Sequence, residues 1–173
     1  MKGLSVLAVA LAVFAAGCGS SSTSPSAGSP TKPTFTATLS PANEVPPVTN
    51  AESVVTGNAT ITFDTTKDGS GNITSATVTF VVNLANMPAG STVNIAHIHE
   101  GASTCACPVV VNTSLAAGEV GINNGTATFT KAGIVVTAEL AQRIINNPGG
   151  FYFNVHSTLN SGGFARGTLA KVS

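Results

Sequence analysis

The chain has 173 residues, and about 140 remain for packing once the first ~30 are set aside as unable to join a core, so one domain is expected. Hydrophobic residues make up 43% and charged residues 8%, which leaves Thr, Ser, Asn and Gly to cover the surface, as suits an extracellular β-protein. Seven basic residues balance seven acidic ones, so no positive excess exists to neutralise phosphates, and no nucleic-acid partner is expected.

The chain opens with a single cation, Lys2, and an apolar run over residues 4–16. At 13 residues the run is shorter than the ~20 needed to span a bilayer, and it has the charge, apolar core and small-residue exit of an export signal. The exit, Ala15-Ala16-Gly17-Cys18, resembles a bacterial lipobox, although Leu is commoner where Ala15 stands. The resemblance implies a signal peptide over 1–17 and lipidation of Cys18; an ordinary cleavable secretion signal is the alternative. Residues 19–33 then read GSSSTSPSAGSPTKP, with nothing to bury, so 18–33 is read as the lipidated Cys and a flexible tether. A tether implies an anchor, which places the protein in a bacterial cell envelope, on the membrane through lipid on Cys18.

From Thr34 the period changes to two and β-branched residues dominate. Residues 35–39 alternate as a first strand, and the prolines of 41–47 break it. Residues 54–63 place Ala59, Ile61 and Phe63 on one face; 66–72 form a hairpin turn with Gly69 and Gly71 at positive φ; 73–84 return. Further short strands are predicted over 93–99, 108–112, 126–130, 151–156 and 164–172. About eight strands at this spacing predict an all-β Greek-key sandwich or barrel over 34–173. One segment has helical spacing instead. Leu140, Ala141, Ile144 and Ile145 predict a short helix near 138–147, capped by Thr137, stopped by Asn147-Pro148-Gly149-Gly150 and covering one end, with Arg143 solvated.

All three histidines lie in predicted strands. In Ile95-Ala-His-Ile-His99, alternation sends Ala96 and Ile98 inward and His97 and His99 to the polar face. In Phe151-Tyr-Phe-Asn-Val-His156 it sends Phe151, Phe153 and Val155 inward and Asn154 and His156 outward. If the two strands are neighbours, three imidazoles meet. Imidazole suits zinc and copper, so His97, His99 and His156 are candidate ligands for one Cu or Zn ion; hydrogen-bonded structural histidines are the alternative.

Four segments in order, residues 35–39 leading to Asn43-Glu-Val-Pro-Pro47, then Ala96-His-Ile-His99, then Phe153-Asn-Val-His-Ser157, then Gly162-Gly-Phe-Ala-Arg-Gly-Thr-Leu169, resemble the CHRD domain. That family, named after chordin, occurs in bacterial secreted proteins, and the resemblance implies a β-rich extracellular domain without naming an activity. A second resemblance bears on chemistry. His97-Ile-His99-Glu100-Gly101, Val155-His156 and the Gly-rich approach to Arg166 are similar to the copper-site strands of copper-zinc superoxide dismutases. It implies His97, His99 and His156 as copper ligands and Arg166 as an anion guide. A fourth, bridging histidine and the zinc ligands have no counterpart, so at most a mononuclear copper site carries over. Glu44, which the CHRD resemblance also picks out, can orient an imidazole, pair with Arg166 or stand solvated; Arg166 can instead close the end of the barrel.

Cys105-Ala-Cys107 follows the His-x-His strand directly. In an oxidising compartment the two are expected to pair in a tight, reducible disulfide; soft-metal ligation and free thiols are the alternatives. No nucleophilic triad, phosphate loop or pair of hydrolytic acids is suggested. The expectation is a binding module more than an enzyme, with a copper-only dismutase-like enzyme and a structural envelope protein as the rivals.

Overall fold

The computed structural model of the chain describes residues 32–172. The expected signal segment 1–17, Cys18 and all but the last two residues of the tether lie outside the described residues.

Among the described residues, ten strands form two antiparallel sheets. They are β1 (Thr34–Leu39), β2 (Thr56–Lys67), β3 (Ile73–Ala85), β4 (Ile95–Glu100), β5 (Val109–Asn112), β6 (Ile122–Asn123), β7 (Thr126–Val136), β8 (Phe151–His156), β9 (Ala165–Thr168) and β10 (Ala170–Lys171). One sheet runs β10-β1-β2-β3-β7-β6 and the other β5-β4-β8-β9. The expected all-β sandwich is therefore present. Its strand number exceeds eight because residues 164–172 divide into two strands and β6, a two-residue piece, had no periodicity to announce it. Similarly, β7 continues past Thr130 to Val136, across a register shift and through Gly133 at φ 70°, which hides the alternation there.

Alternation puts Ala59, Ile61 and Phe63 of β2 in the core, facing Ala96, Ile98, Phe153 and Val155 of the second sheet. Phe80 of β3 stacks on Phe153 of β8 with ring centroids 5.6 Å apart, which fixes the inner face of the four-stranded sheet against its partner. At one edge Ser40 bridges Arg166 and joins the end of β1 to β9. In the β2–β3 turn only Gly71 takes positive φ (87°); Gly69 does not, because Asp68 accepts from the backbone of Ser70 and Asn72 and closes the turn itself.

The helix α1 spans Ala138–Asn146, and Thr137 accepts from the backbone N–H of Leu140 as its cap. Ala141 and Ile144 are buried against the core, with Leu140 and Ile145 partly so. Arg143 is half-exposed but does not stand alone: it pairs with Glu100 at 3.1 Å.

Candidate metal centre

The site lies on the outer face of the four-stranded sheet. β4 and β8 pair antiparallel, with His97 opposite Asn154, His99 opposite Tyr152 and Ile95 opposite His156. Alternation on both strands therefore gathers His97, His99, Tyr152, Asn154 and His156 on one face, and β9 adds Arg166 beside Asn154. An outer face would ordinarily be wet. Here it is covered, and His97, His99 and His156 are only 8%, 8% and 7% exposed.

The cover comes from loops. Residues 102–108 pass over His99, whose Nδ1–H donates to the carbonyl of Cys107 at 2.6 Å. Residues 157–163 pass over His156, whose Nδ1–H donates to the carbonyl of Ser161 at 2.8 Å. These two bonds fix the tautomers of both rings, with the lone pair on Nε2. His97 Nδ1 lies 3.1 Å from His99 Nε2 and donates to it. His156 Nε2 is buried with no hydrogen-bond partner among the described residues.

Each histidine thus offers one nitrogen to a common point, and the three nitrogens lie within 4.8 Å of one another. Tetrahedral zinc with imidazole bonds of about 2.0–2.1 Å requires ligand nitrogens about 3.3–3.4 Å apart. His97 Nδ1 and His99 Nε2, 3.1 Å apart, are slightly closer than that spacing, while the 4.8 Å that bounds the three nitrogens is wider than it. To ligate through Nδ1, His97 would carry its proton on Nε2 instead. Burial, reinforced by the neighbouring imidazoles, pushes His97 down to about 4. Burial also lowers His99 and His156, against the opposing pull of their carbonyl partners. All three rings are accordingly neutral at pH 7, the form that ligates.

Glu44 and Arg166 meet one another. They are 4% and 2% exposed, and both Nε and Nη2 of Arg166 donate to Glu44 Oε2, at 2.7 and 2.6 Å. Arg166 Nη1 donates to the carbonyl of Cys105 at 2.8 Å, and its guanidinium lies 4.8 Å from the Tyr152 ring centroid. Burial raises the Glu44 pKa more than Arg166 lowers it. No hydrogen bond from Glu44 to an imidazole is present among the described residues. Cys105 and Cys107 are joined by a disulfide.

A family model for the CHRD domain matches residues 35–169. The chain belongs to the CHRD domain family. The match spans all four segments whose order first suggested it, and so places the histidine face within the CHRD domain itself. No curated protein matches the chain.

Several residues of this CHRD domain's site escape sequence reasoning. Tyr152 stacks on His99 with centroids 4.6 Å apart and planes 4° from parallel; its parity with Asn154 and His156 was the available signal. Glu52 is buried, and its Oε2 accepts from Ser157 at 2.7 Å and from Asn160, which ties down the loop that holds His156. Nothing in the sequence marks this acid except Asn50, which caps a short 3-10 turn over Ala51–Val54.

Proposed function

We propose that this protein is a lipid-anchored, extracytoplasmic CHRD-domain module that binds one Cu or Zn ion through His97 Nδ1, His99 Nε2 and His156 Nε2. The observation that carries the reading is the convergence of three buried, neutral imidazoles, one of which has a buried Nε2 with no partner. Leaving such an atom unsatisfied costs about 1–3 kcal/mol, and a metal ion removes the cost. A fourth coordination position remains for water or a small anion. The location rests on the lipobox-like residues ending at Cys18 and the Ser/Gly/Pro-rich tether after it.

Binding is favoured over dismutase-like catalysis by the state of Arg166. An anion guide needs donors turned toward an incoming anion, whereas Nε and Nη2 are held by Glu44 and Nη1 by the Cys105 carbonyl. Arg166 serves instead as a tie between the Glu44 loop and the cysteine loop. Calorimetric titration with Zn²⁺ and Cu²⁺ tests the assignment. One equivalent is taken up by the wild type, and each His→Ala change weakens uptake; uptake unchanged when all three are replaced rejects the site. A superoxide assay on the copper-loaded protein, expected to be inactive, separates binding from catalysis.

A further inference from the structure

The loop over His99 is closed by the Cys105–Cys107 disulfide, and both cysteine backbones are used by the outer-face side chains. The Cys107 carbonyl takes the Nδ1–H of His99 at 2.6 Å. The Cys105 carbonyl takes the Tyr152 hydroxyl at 2.9 Å and Arg166 Nη1 at 2.8 Å, while the Cys107 N–H donates to the same Tyr152 oxygen at 3.1 Å. Tyr152 in turn lies flat on the His99 ring. His99 is therefore held in orientation and tautomer by two groups, and both are bonded to the disulfide-closed turn.

The floor beneath the turn has no slack. Gly101 has φ 141°, and a Cβ there would overlap the sulfurs of Cys107 and Cys105. Its backbone thus lies directly against the disulfide. The disulfide closes the turn that carries the Cys105 and Cys107 carbonyls, and Gly101 lies close beneath it, so the bond is the one covalent restraint on the backbone that holds His99 and Tyr152. Cys105 and Cys107 are half-buried with the exposed Ala106 between them, so a small reductant has access.

We propose that the Cys105–Cys107 disulfide is the positioning element for the ligand His99, so that disulfide state and metal occupancy are linked: opening the bond weakens metal binding, and bound metal opposes opening. The inference rests on the three-histidine metal reading above. The redox step is ordinary exchange. A dithiol donor breaks the Sγ–Sγ bond, supplies two electrons and two protons to give two thiols, and leaves as its own disulfide. Loss of a partner that orients a metal-bound histidine lowers affinity by about 10–100-fold. Linkage requires the disulfide equilibrium to shift by the same factor when metal binds, and a tenfold ratio corresponds to about 30 mV for this two-electron couple.

The test is calorimetric titration of the full chain with Zn²⁺ in three forms. These are the oxidised protein, the protein reduced by a water-soluble phosphine, which becomes the phosphine oxide with oxygen from water, and the Cys105→Ser/Cys107→Ser variant. A Tyr152→Phe variant keeps the disulfide and cuts the turn's tie to the ring on His99, which keeps the idea testable if the serine variant does not fold. The oxidised protein is expected to bind at least about tenfold tighter than the reduced and serine forms, with Tyr152→Phe between them. Zn²⁺ is expected to retard thiol appearance during reduction, read by maleimide labelling and mass. Equal affinity in the oxidised and reduced forms, or tighter binding by the thiols, overturns the linkage alone. A wild type that takes up no Zn²⁺ in either state overturns the metal reading and this inference with it.

Discussion

Acid is expected to destabilise the metal-free protein through its histidine cluster. His97 has its ordinary value of 6.5 in the unfolded chain and about 4 in the folded one. Between those values the unfolded chain holds more protons, so the His97 contribution is intact above pH 6.5 and is lost as pH falls toward 4. At 1.36 kcal/mol per unit, His97 alone removes about 3 kcal/mol by pH 4. His99 and His156 act in the same direction, since burial lowers both. Glu44 opposes them: its folded value is raised, so protonating it favours the folded state as pH falls through that value. Against a typical total of about 5–15 kcal/mol, the histidine loss is large. Urea unfolding at pH 7, 5.5 and 4, followed by circular dichroism and by the fluorescence of Tyr152, the chain's one tyrosine, measures it. The midpoint should fall steadily, and His97→Gln should flatten the fall. A midpoint that does not move between pH 7 and pH 4 refutes the assignment of buried, neutral imidazoles.

Phe153, fully buried and stacked on Phe80, should cost about 3–5 kcal/mol on change to Ala, and a urea midpoint equal to wild type contradicts its place in the core. Glu44→Gln leaves Arg166 buried without its countercharge and should cost about 3–5 kcal/mol, whereas Glu44→Leu/Arg166→Met, which removes both charges, should recover most of that in the same assay. A loss below about 1 kcal/mol for the single change would mark the pair as no stronger than a surface ion pair. Cys18→Ser should release the protein from the membrane fraction or leave an uncleaved precursor; mass analysis finding no lipid on residue 18 of the wild type contradicts the anchor.

The meeting of the three histidines was legible because strand alternation is local. Ala96 and Ile98 on one side of β4, and Phe153 and Val155 on one side of β8, leave the imidazoles one face to occupy, and only the pairing of the two strands had to be assumed. Helix α1 was legible for the same reason, since its cap and stop signals sit within a few residues of its apolar stripe. The cover over the site was not legible. His99 owes its burial to a turn that folds back from residues 102–108, and His156 to a loop pinned by Glu52, about a hundred residues earlier in the chain. Such contacts leave no period in the sequence, and a carboxylate in a Ser/Asn-rich loop reads as solvated whether or not it is buried. Glu44 and Arg166 stood among the candidates, but which of several partners each would take depended on how β1 and β9 approach at the sheet edge.

The central claim is that three imidazoles share one ion, and anomalous diffraction from a Zn²⁺-soaked crystal tests it most directly. One peak is predicted at about 2.0–2.1 Å from His97 Nδ1, His99 Nε2 and His156 Nε2 together. A map with no peak there, or with the ion bound by fewer than all three of these nitrogens, contradicts the account.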